Sequence, residues 1–139
     1  MYSITKEIHF CYGHRLMHHP GKCKNLHGHS VRAAITVASD RLDEQGMVCD
    51  FADIKERISG YIDRELDHNL LLHKDDPIIA SLTRAGERFT AFDAHPTAEF
   101  LARLLYEEAR RTGLPVTRVT LWETGSAYAS YSEPDRLPA

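Results

Sequence analysis

The residues best suited to chemistry in this 139-residue chain are histidines, and they are concentrated near its N-terminus. Five of the nine histidines lie within residues 14–29. Only Gly28 separates His27 from His29, and residues two apart on a strand point to the same face, so both imidazoles can reach one ion. If the preceding segment forms a hairpin with that strand, His14 offers a third imidazole to the same ion.

Three imidazoles with no fourth protein ligand are typical of a catalytic zinc ion, which keeps one position open for water or substrate. A structural zinc ion usually has four protein ligands, often including thiolates. An isolated His-x-His pair is more often exposed on the surface without a function, or buried in the core with its hydrogen bonds satisfied. Here the third histidine and a nearby cysteine favour the metal interpretation, so we predict that Zn²⁺ binds to His14, His27 and His29.

Cys23 precedes His27 by four residues, and the spacing leaves its role open. A thiol at this place is compatible with a fourth zinc ligand, an inert side chain, or a general acid or base whose pKa a neighbouring cation lowers. The chain has three cysteines. An odd number at irregular spacing indicates a reducing compartment in which the thiols stay free, and we expect a cytoplasmic protein.

Two acidic positions are further candidates. Asp67 is followed directly by His68, and a carboxylate beside an imidazole can orient and polarise it for proton transfer, although such a dipeptide is more often a polar pair at a helix end. Glu123 falls on the same alternating face as Leu121 and is predicted to point inward. A buried carboxylate needs a partner, and both a ligand with several N–H donors and an intramolecular salt bridge satisfy that need.

The order of elements follows from the periodicity of apolar residues. Alternation predicts a first strand from Tyr2 to Phe10 and a second strand that starts at the His27–His29 pair, with the histidine-rich connection between them. Helical spacing predicts a helix over 50–66, with Asp50 as its N-cap, and a second that opens at Pro96-Thr97-Ala98-Glu99. Pro77 to Gly86 fits a short extra helix, and two strands over 119–131 finish the chain. The sequence therefore predicts an α+β fold, an antiparallel four-stranded sheet with two helices on one face, in the order strand-strand-helix-helix-strand-strand.

Composition excludes several classes of protein. With 42% hydrophobic and 27% charged residues, the chain is typical of a single globular domain over residues 1–139. A net charge of −3 provides no overall basic field, so binding to nucleic acid is not expected. No run of eighteen apolar residues and no signal-peptide pattern occurs, so we expect no contact with a membrane.

Six short motifs, in this order along the chain, resemble the 6-pyruvoyl-tetrahydropterin synthase and 6-carboxy-tetrahydropterin synthase family. Each motif is short, but their order from the first strand almost to the C-terminus makes the resemblance specific. The motifs are Phe10-x-x-x-His14-Arg15-Leu16, Cys23-x-x-x-His27-Gly28-His29, Gly46-Met47-Val48-x-Asp50-Phe51, Leu66-Asp67-His68, Pro96-Thr97-Ala98-Glu99 and Trp122-Glu123-Thr124.

The resemblance implies the tunnelling fold, in which subunits join edge to edge into a trimer and two trimers form a homo-hexamer with active sites between subunits. It implies that His14, His27 and His29 bind zinc and that Cys23 abstracts a proton. It further implies that Asp67 and His68 form the partner proton relay, and that Glu123 and Thr97 bind the pterin substrate.

The implied activity converts 7,8-dihydroneopterin triphosphate to 6-carboxy-5,6,7,8-tetrahydropterin, with release of acetaldehyde and triphosphate, an early step toward queuosine. The alternatives are the 6-pyruvoyl-tetrahydropterin synthase reaction and a non-catalytic zinc-binding assembly module of the same fold. Arg15 and Lys24 are candidate partners of the triphosphate. Two features depart from the family pattern: Cys11-Tyr12-Gly13 replaces small residues before His14, and the segment 73–95 is longer than in compact members.

Overall fold

A six-stranded mixed sheet and three α-helices form the part of the chain that the computed structural model describes, residues 1–134. The order of strands across the sheet is β4-β3-β1-β2-β5-β6. The strands are β1 (Tyr2–His14), β2 (His27–Ser39), β3 (Asn69–His73), β4 (Phe89–Phe92), β5 (Val116–Trp122) and β6 (Tyr128–Tyr131). The helices are α1 (Phe51–Tyr61), α2 (Ile78–Ala85) and α3 (Ala98–Arg111).

The two longest strands, β1 and β2, form the predicted antiparallel hairpin. Strand β1 extends beyond Phe10, where we expected it to end, because the alternation of inward side chains continues through Tyr12 and His14. The register pairs Tyr12 with His29 and His14 with His27. The hairpin therefore brings residues from both ends of the connecting loop onto one face of the sheet.

The prediction of a four-stranded antiparallel sheet is wrong in strand number and direction. Strands β3 and β4 are parallel to β1 and to each other, and they extend the sheet on one side. The centre of β3 is a short apolar run, Leu70 to Leu72. The consecutive residues Leu71 and Leu72 are both fully buried. A strand buried on both faces shows no alternation, so periodicity does not distinguish it from a helix or an irregular segment.

Helices α1 and α3 pack on one face of the sheet, as predicted, and their apolar residues join the strands in one core. Asp50 accepts a hydrogen bond from the N–H of Ala52 at the start of α1. Helix α1 continues as one π-helical turn, Ile62–Leu66, so the predicted helix over 50–66 is confirmed. This turn delivers Asp67 to the edge of β1, where the N–H of Asp67 still donates to the carbonyl of Ile62.

The predicted short extra helix is α2, which ends at Gly86 in the left-handed conformation (φ 72°). The loop before α2 is tied to the end of β1 by a two-point ion pair, in which the Arg15 guanidinium donates to both carboxylate oxygens of Asp76. Asp76 is 3% exposed, and it also accepts from the N–H of Ile78. Within residues 1–134, no helix is long and apolar enough to cross a membrane.

The Asp76 carboxylate should stabilise the fold through Arg15. The Asp76→Asn variant keeps the shape and the acceptor for Ile78 but loses the charge, and we expect its free energy of unfolding to fall by about 2 kcal/mol, typical of a hydrogen bond to a charged group. Urea unfolding measures this change. The matched control is Asp75→Asn, whose carboxylate is 71% exposed, and it should be near neutral.

The difference in free energy of unfolding between Asp76→Asn and the unmodified chain depends on pH. The hydrogen bond from Arg15 lowers the pKa of Asp76 below its ordinary value of 3.8, although burial opposes that shift. Because the folded-state pKa is depressed, the stabilisation is present above the ordinary value and is lost as pH falls through the folded-state value. The difference between Asp76→Asn and the unmodified chain should therefore shrink below about pH 4. A difference that is constant down to pH 2 would contradict the assignment.

Candidate metal centre and active site

Three histidines converge on the inner face of the β1–β2 hairpin, as the sequence predicts. One ring nitrogen from each of His14, His27 and His29 lies within 4.8 Å of the other two, a cluster that could hold a metal ion. The Nε2 atoms of His14 and His27 are 3.0 Å apart. His14 is 2% exposed, whereas His27 and His29 are half-buried.

Backbone carbonyls set the orientation of two of these rings. The Nδ1 atom of His14 lies 2.8 Å from the Pro96 carbonyl, and that of His27 lies 2.7 Å from the Asn25 carbonyl. A carbonyl only accepts, so each Nδ1 donates, and a neutral ring then has its lone pair on Nε2. Carbonyl partners of this kind are the usual support of metal-binding histidines.

The His14 and His27 rings therefore direct lone pairs at each other with no donor to satisfy them. The facing Nε2 atoms of His14 and His27 need a proton or a cation between them. The Nε2 atom of His29 is buried without a hydrogen-bond partner, and its acidic neighbour is Glu123 Oε1 at 3.4 Å. Burial lowers the pKa of both His14 and His29, which favours neutral rings. A three-imidazole set of this kind fits Zn²⁺, which binds nitrogen at about 2.0–2.1 Å and leaves a fourth position open.

A cavity of about 210 Å³ adjoins His14 and brings together four of the predicted residues. Besides His14, it is lined by Cys23, Thr97 and Glu123. The Cys23 side chain projects from a short 3₁₀ turn, and the Cys23 carbonyl accepts a 2.8 Å hydrogen bond from the N–H of Leu16, which fixes the turn against the end of β1. In residues 1–134, Cys23 belongs to neither of the two three-residue donor clusters that could hold a metal.

Thr97 and Glu123 are held in different ways. The Thr97 hydroxyl accepts from the N–H of Phe100 as the N-cap of α3, which leaves its own O–H to donate. Glu123 directly follows β5, points inward as predicted, and its Oε2 atom accepts a 2.8 Å hydrogen bond from the Tyr12 hydroxyl. Burial, reinforced by the Glu123 charge, raises the pKa of Tyr12 far above its ordinary value, so Tyr12 stays protonated and donates.

Asp67 and His68 form the predicted pair, with His68 Nδ1 2.9 Å from Asp67 Oδ2. The other carboxylate oxygen, Oδ1, accepts from the N–H of Cys11 at 3.0 Å, and the N–H of His68 donates to the Cys11 carbonyl. Partial burial opposes ionisation, but these hydrogen bonds outweigh it and lower the pKa of Asp67. His68 adopts a left-handed backbone (φ 54°), and its side chain is 78% exposed.

The structure does not bring this pair to the cavity that contains Cys23. Asp67 and His68 line a second cavity of about 330 Å³, together with Cys11 and Ser30. Cys11 alternates with the inward residues Phe10 and Tyr12 of β1, so the second cavity opens on the other face of that strand. In one chain, the candidate base and the candidate relay are therefore separate.

Sequence reasoning missed three contributors to the site. Tyr12 enters the sequence analysis only as part of the segment that replaces small residues before His14, although continued alternation along β1 would have placed it inward. The carbonyls of Pro96 and Asn25 have no side-chain signal, because any residue carries one. Arg15, a candidate partner of the triphosphate, is instead engaged by Asp76.

Comparison with known proteins agrees with this arrangement. The chain matches the family described as 6-pyruvoyl tetrahydropterin synthase over residues 3–134. It is 40% identical over 125 residues to a 6-carboxy-5,6,7,8-tetrahydropterin synthase of Aquifex aeolicus, covering 81% of this chain and 76% of the relative. A protein of the same name from Rickettsia bellii is 36% identical over 135 residues, covering 92% and 98% of the two chains.

Solved structures share the fold. An uncharacterized protein from Wolinella succinogenes superimposes with a TM-score of 0.79 at 26% identity, covering 94% of this chain and 97% of the other. The 6-pyruvoyl tetrahydropterin synthase of Caenorhabditis elegans gives a TM-score of 0.70 at 21% identity, covering 95% of each chain. The chain therefore belongs to the 6-pyruvoyl tetrahydropterin synthase family.

Proposed function

We propose that the protein is a 6-carboxy-5,6,7,8-tetrahydropterin synthase. The observation that supports this most is the meeting of His14, Cys23, Thr97 and Glu123 around one cavity, in a chain 35–40% identical to several relatives of that name. In the proposed reaction, 7,8-dihydroneopterin triphosphate and one water give 6-carboxy-5,6,7,8-tetrahydropterin, acetaldehyde and triphosphate. The triphosphate leaves from the side chain, and cleavage of a carbon–carbon bond leaves the carboxylate on the ring.

The pterin ring is proposed to bind through Glu123. The aminopyrimidine edge of a pterin presents neighbouring N–H donors, and a carboxylate accepts two of them side by side. Glu123 is suited to this because its side chain is 22% exposed at the cavity, so it is reachable and still shielded from bulk water. The Thr97 hydroxyl on the same wall can donate to a ring acceptor.

The three imidazoles are proposed to hold Zn²⁺ beside the pterin side chain. When bound, the ion would act as a Lewis acid that stabilises negative charge developing on oxygen of the side chain. The Cys23 thiolate takes a proton from the side-chain carbon as general base. Asp67 holds the His68 ring through Nδ1, so the remaining nitrogen of that exposed ring can give and take the second proton.

The separation of the two cavities leads to a proposal about assembly. Because Cys23 and the Asp67–His68 pair lie in different cavities of one chain, we propose that the active site is completed between two subunits. The outermost strands of the sheet in the described residues are β4 and β6, and their free backbone groups can pair with those of another chain. The proposed assembly is a homo-hexamer of two trimers, in which the subunits of each trimer join edge to edge. Its proposed location is the cytoplasm.

Metal content tests the three-histidine site. The purified protein should contain about one zinc ion per chain. We expect His14→Ala to weaken zinc binding more than about 100-fold, because loss of a supporting hydrogen bond alone costs 10- to 100-fold. The matched control is His9→Ala, an exposed histidine of β1 with a side chain 70% exposed, which should keep its zinc. Full zinc content in His14→Ala would exclude it as a ligand.

The products distinguish the three candidate functions. Zinc-loaded protein and 7,8-dihydroneopterin triphosphate should yield acetaldehyde and 6-carboxytetrahydropterin in equal amounts, measured with alcohol dehydrogenase and by chromatography. We expect Cys23→Ala to lower kcat by at least about 100-fold, as for the loss of a general base, with zinc retained. Cys49→Ala is the control, because Cys49 lines a different cavity together with Ser3 and Ile4 of β1. A pyruvoyl product without acetaldehyde would indicate the sister reaction, and no product would indicate a non-catalytic module.

Mixing of inactive variants tests whether the site is shared between subunits. Cys23→Ala and His68→Ala should each be inactive, but refolded together they should recover about one quarter of the unmodified activity. A shared site needs an intact Cys23 from one subunit and an intact His68 from its neighbour, and each is present in half of the subunits. Cys23→Ala mixed with His14→Ala is the control, because both changes affect the same cavity and no intact site forms. Activity that stays absent in the first mixture would mean that the subunits do not share sites.

A further inference from the structure

Tyr12 lies between two of the candidate metal ligands, His14 and His29, and the candidate substrate anchor, Glu123. It is 2% exposed, and its ring contacts His14 and His29 edge-on at centroid distances of 5.1 and 5.9 Å. Phe10 lies against the same ring at 6.1 Å. Packing on three sides leaves the ring with one position, so the direction of its hydroxyl is also fixed.

The Tyr12 hydroxyl donates a 2.8 Å hydrogen bond to Glu123 Oε2. A bond from a neutral O–H to a carboxylate is charge-assisted and about twice as strong as one between neutral groups. A glutamate has three rotatable side-chain bonds, and freezing them on ligand binding costs free energy. A partner that freezes them beforehand removes that cost from the binding step.

We infer that Tyr12 is a positioning residue that holds the Glu123 carboxylate in the orientation that receives the N–H donors of the pterin ring, an inference that rests on the proposed function of Glu123. The carboxylate has about four lone-pair sites, and Tyr12 occupies one of them. The others remain for the ligand. The backbone supports the same arrangement, since the N–H of Glu123 donates to the Ala127 carbonyl at 3.0 Å and fixes the start of the side chain.

Tyr12 is also where this chain departs from the small residues that precede the metal histidine in the family it resembles. The Tyr12–Glu123 pair is a property of this chain. It adds a polar link across 111 residues, from the N-terminal hairpin to the end of β5.

The variant that tests the inference is Tyr12→Phe, which keeps the ring and its packing and removes only the hydroxyl. We expect Kd for neopterin, a pterin without the triphosphate, to rise about tenfold in zinc-loaded protein, equivalent to about 1.4 kcal/mol. The KM for the triphosphate substrate should rise similarly, with kcat close to that of the unmodified enzyme. Zinc content should be unchanged, and the variant should stay fully folded at the assay temperature, although loss of the buried hydrogen bond should lower its Tm. Tyr61→Phe, a half-buried tyrosine at the end of α1, is the matched control and should bind neopterin normally.

A double-mutant cycle separates positioning from independent effects. In a Glu123→Gln background, Tyr12→Phe should have little further effect on neopterin binding, because the hydroxyl acts through the carboxylate. Fully additive losses, or unchanged binding by Tyr12→Phe alone, would overturn the inference, and so would a loss of zinc, or unfolding at the assay temperature, that accounts for the weaker binding. If Glu123→Gln itself binds neopterin normally, the proposed role of Glu123 fails, a result distinct from failure of Tyr12 alone.

Discussion

The antiparallel register of β1 and β2 is the constraint on which the rest of the site depends. It places His14 opposite His27 and Tyr12 opposite His29, so one hairpin supplies both the metal-binding candidates and the partner of Glu123. Because side chains alternate across a strand, a shift of one residue would turn a whole row to the other face. Buried apolar neighbours in the same rows prevent this shift, since they would be expelled from the core together with the histidines.

Burial then decides how the polar groups on that face must be partnered. A desolvated imidazole or carboxylate is costly unless each polar atom finds a partner. The carbonyls of Asn25 and Pro96 satisfy the outer nitrogens of two rings, and Tyr12 satisfies one oxygen of Glu123. What is left over is the pair of facing Nε2 lone pairs of His14 and His27 and the unpartnered Nε2 atom of His29, and a bound cation would satisfy these groups together. The capacity of this cluster to hold a metal ion thus follows from the core that surrounds it.

The features that the sequence predicted are those with a local signal. Alternation identified the hairpin, the spacing of His27 and His29 identified the donor set, and Pro77 with Gly86 bracketed α2. Strands β3 and β4 lacked such a signal because they are short and parallel, and β3 is buried on both faces. The Pro96 carbonyl and the Arg15–Asp76 ion pair join distant parts of the chain, so only the folded arrangement reveals them. The convergence of the three histidines was therefore predictable, whereas the backbone carbonyls that orient two of them were not.

These contacts change what the net charge of the chain implies for binding of a triphosphate. A net charge of −3 opposes a triphosphate at long range, but at physiological salt charges beyond about 8 Å are largely screened, so local cations decide the binding. Asp76 neutralises Arg15 and removes it from that local set. Lys22 and Lys24 are both exposed on the turn that carries Cys23. A triphosphate held by these lysines would lie beside the proposed base, so its binding and the proton transfer would depend on the same short turn.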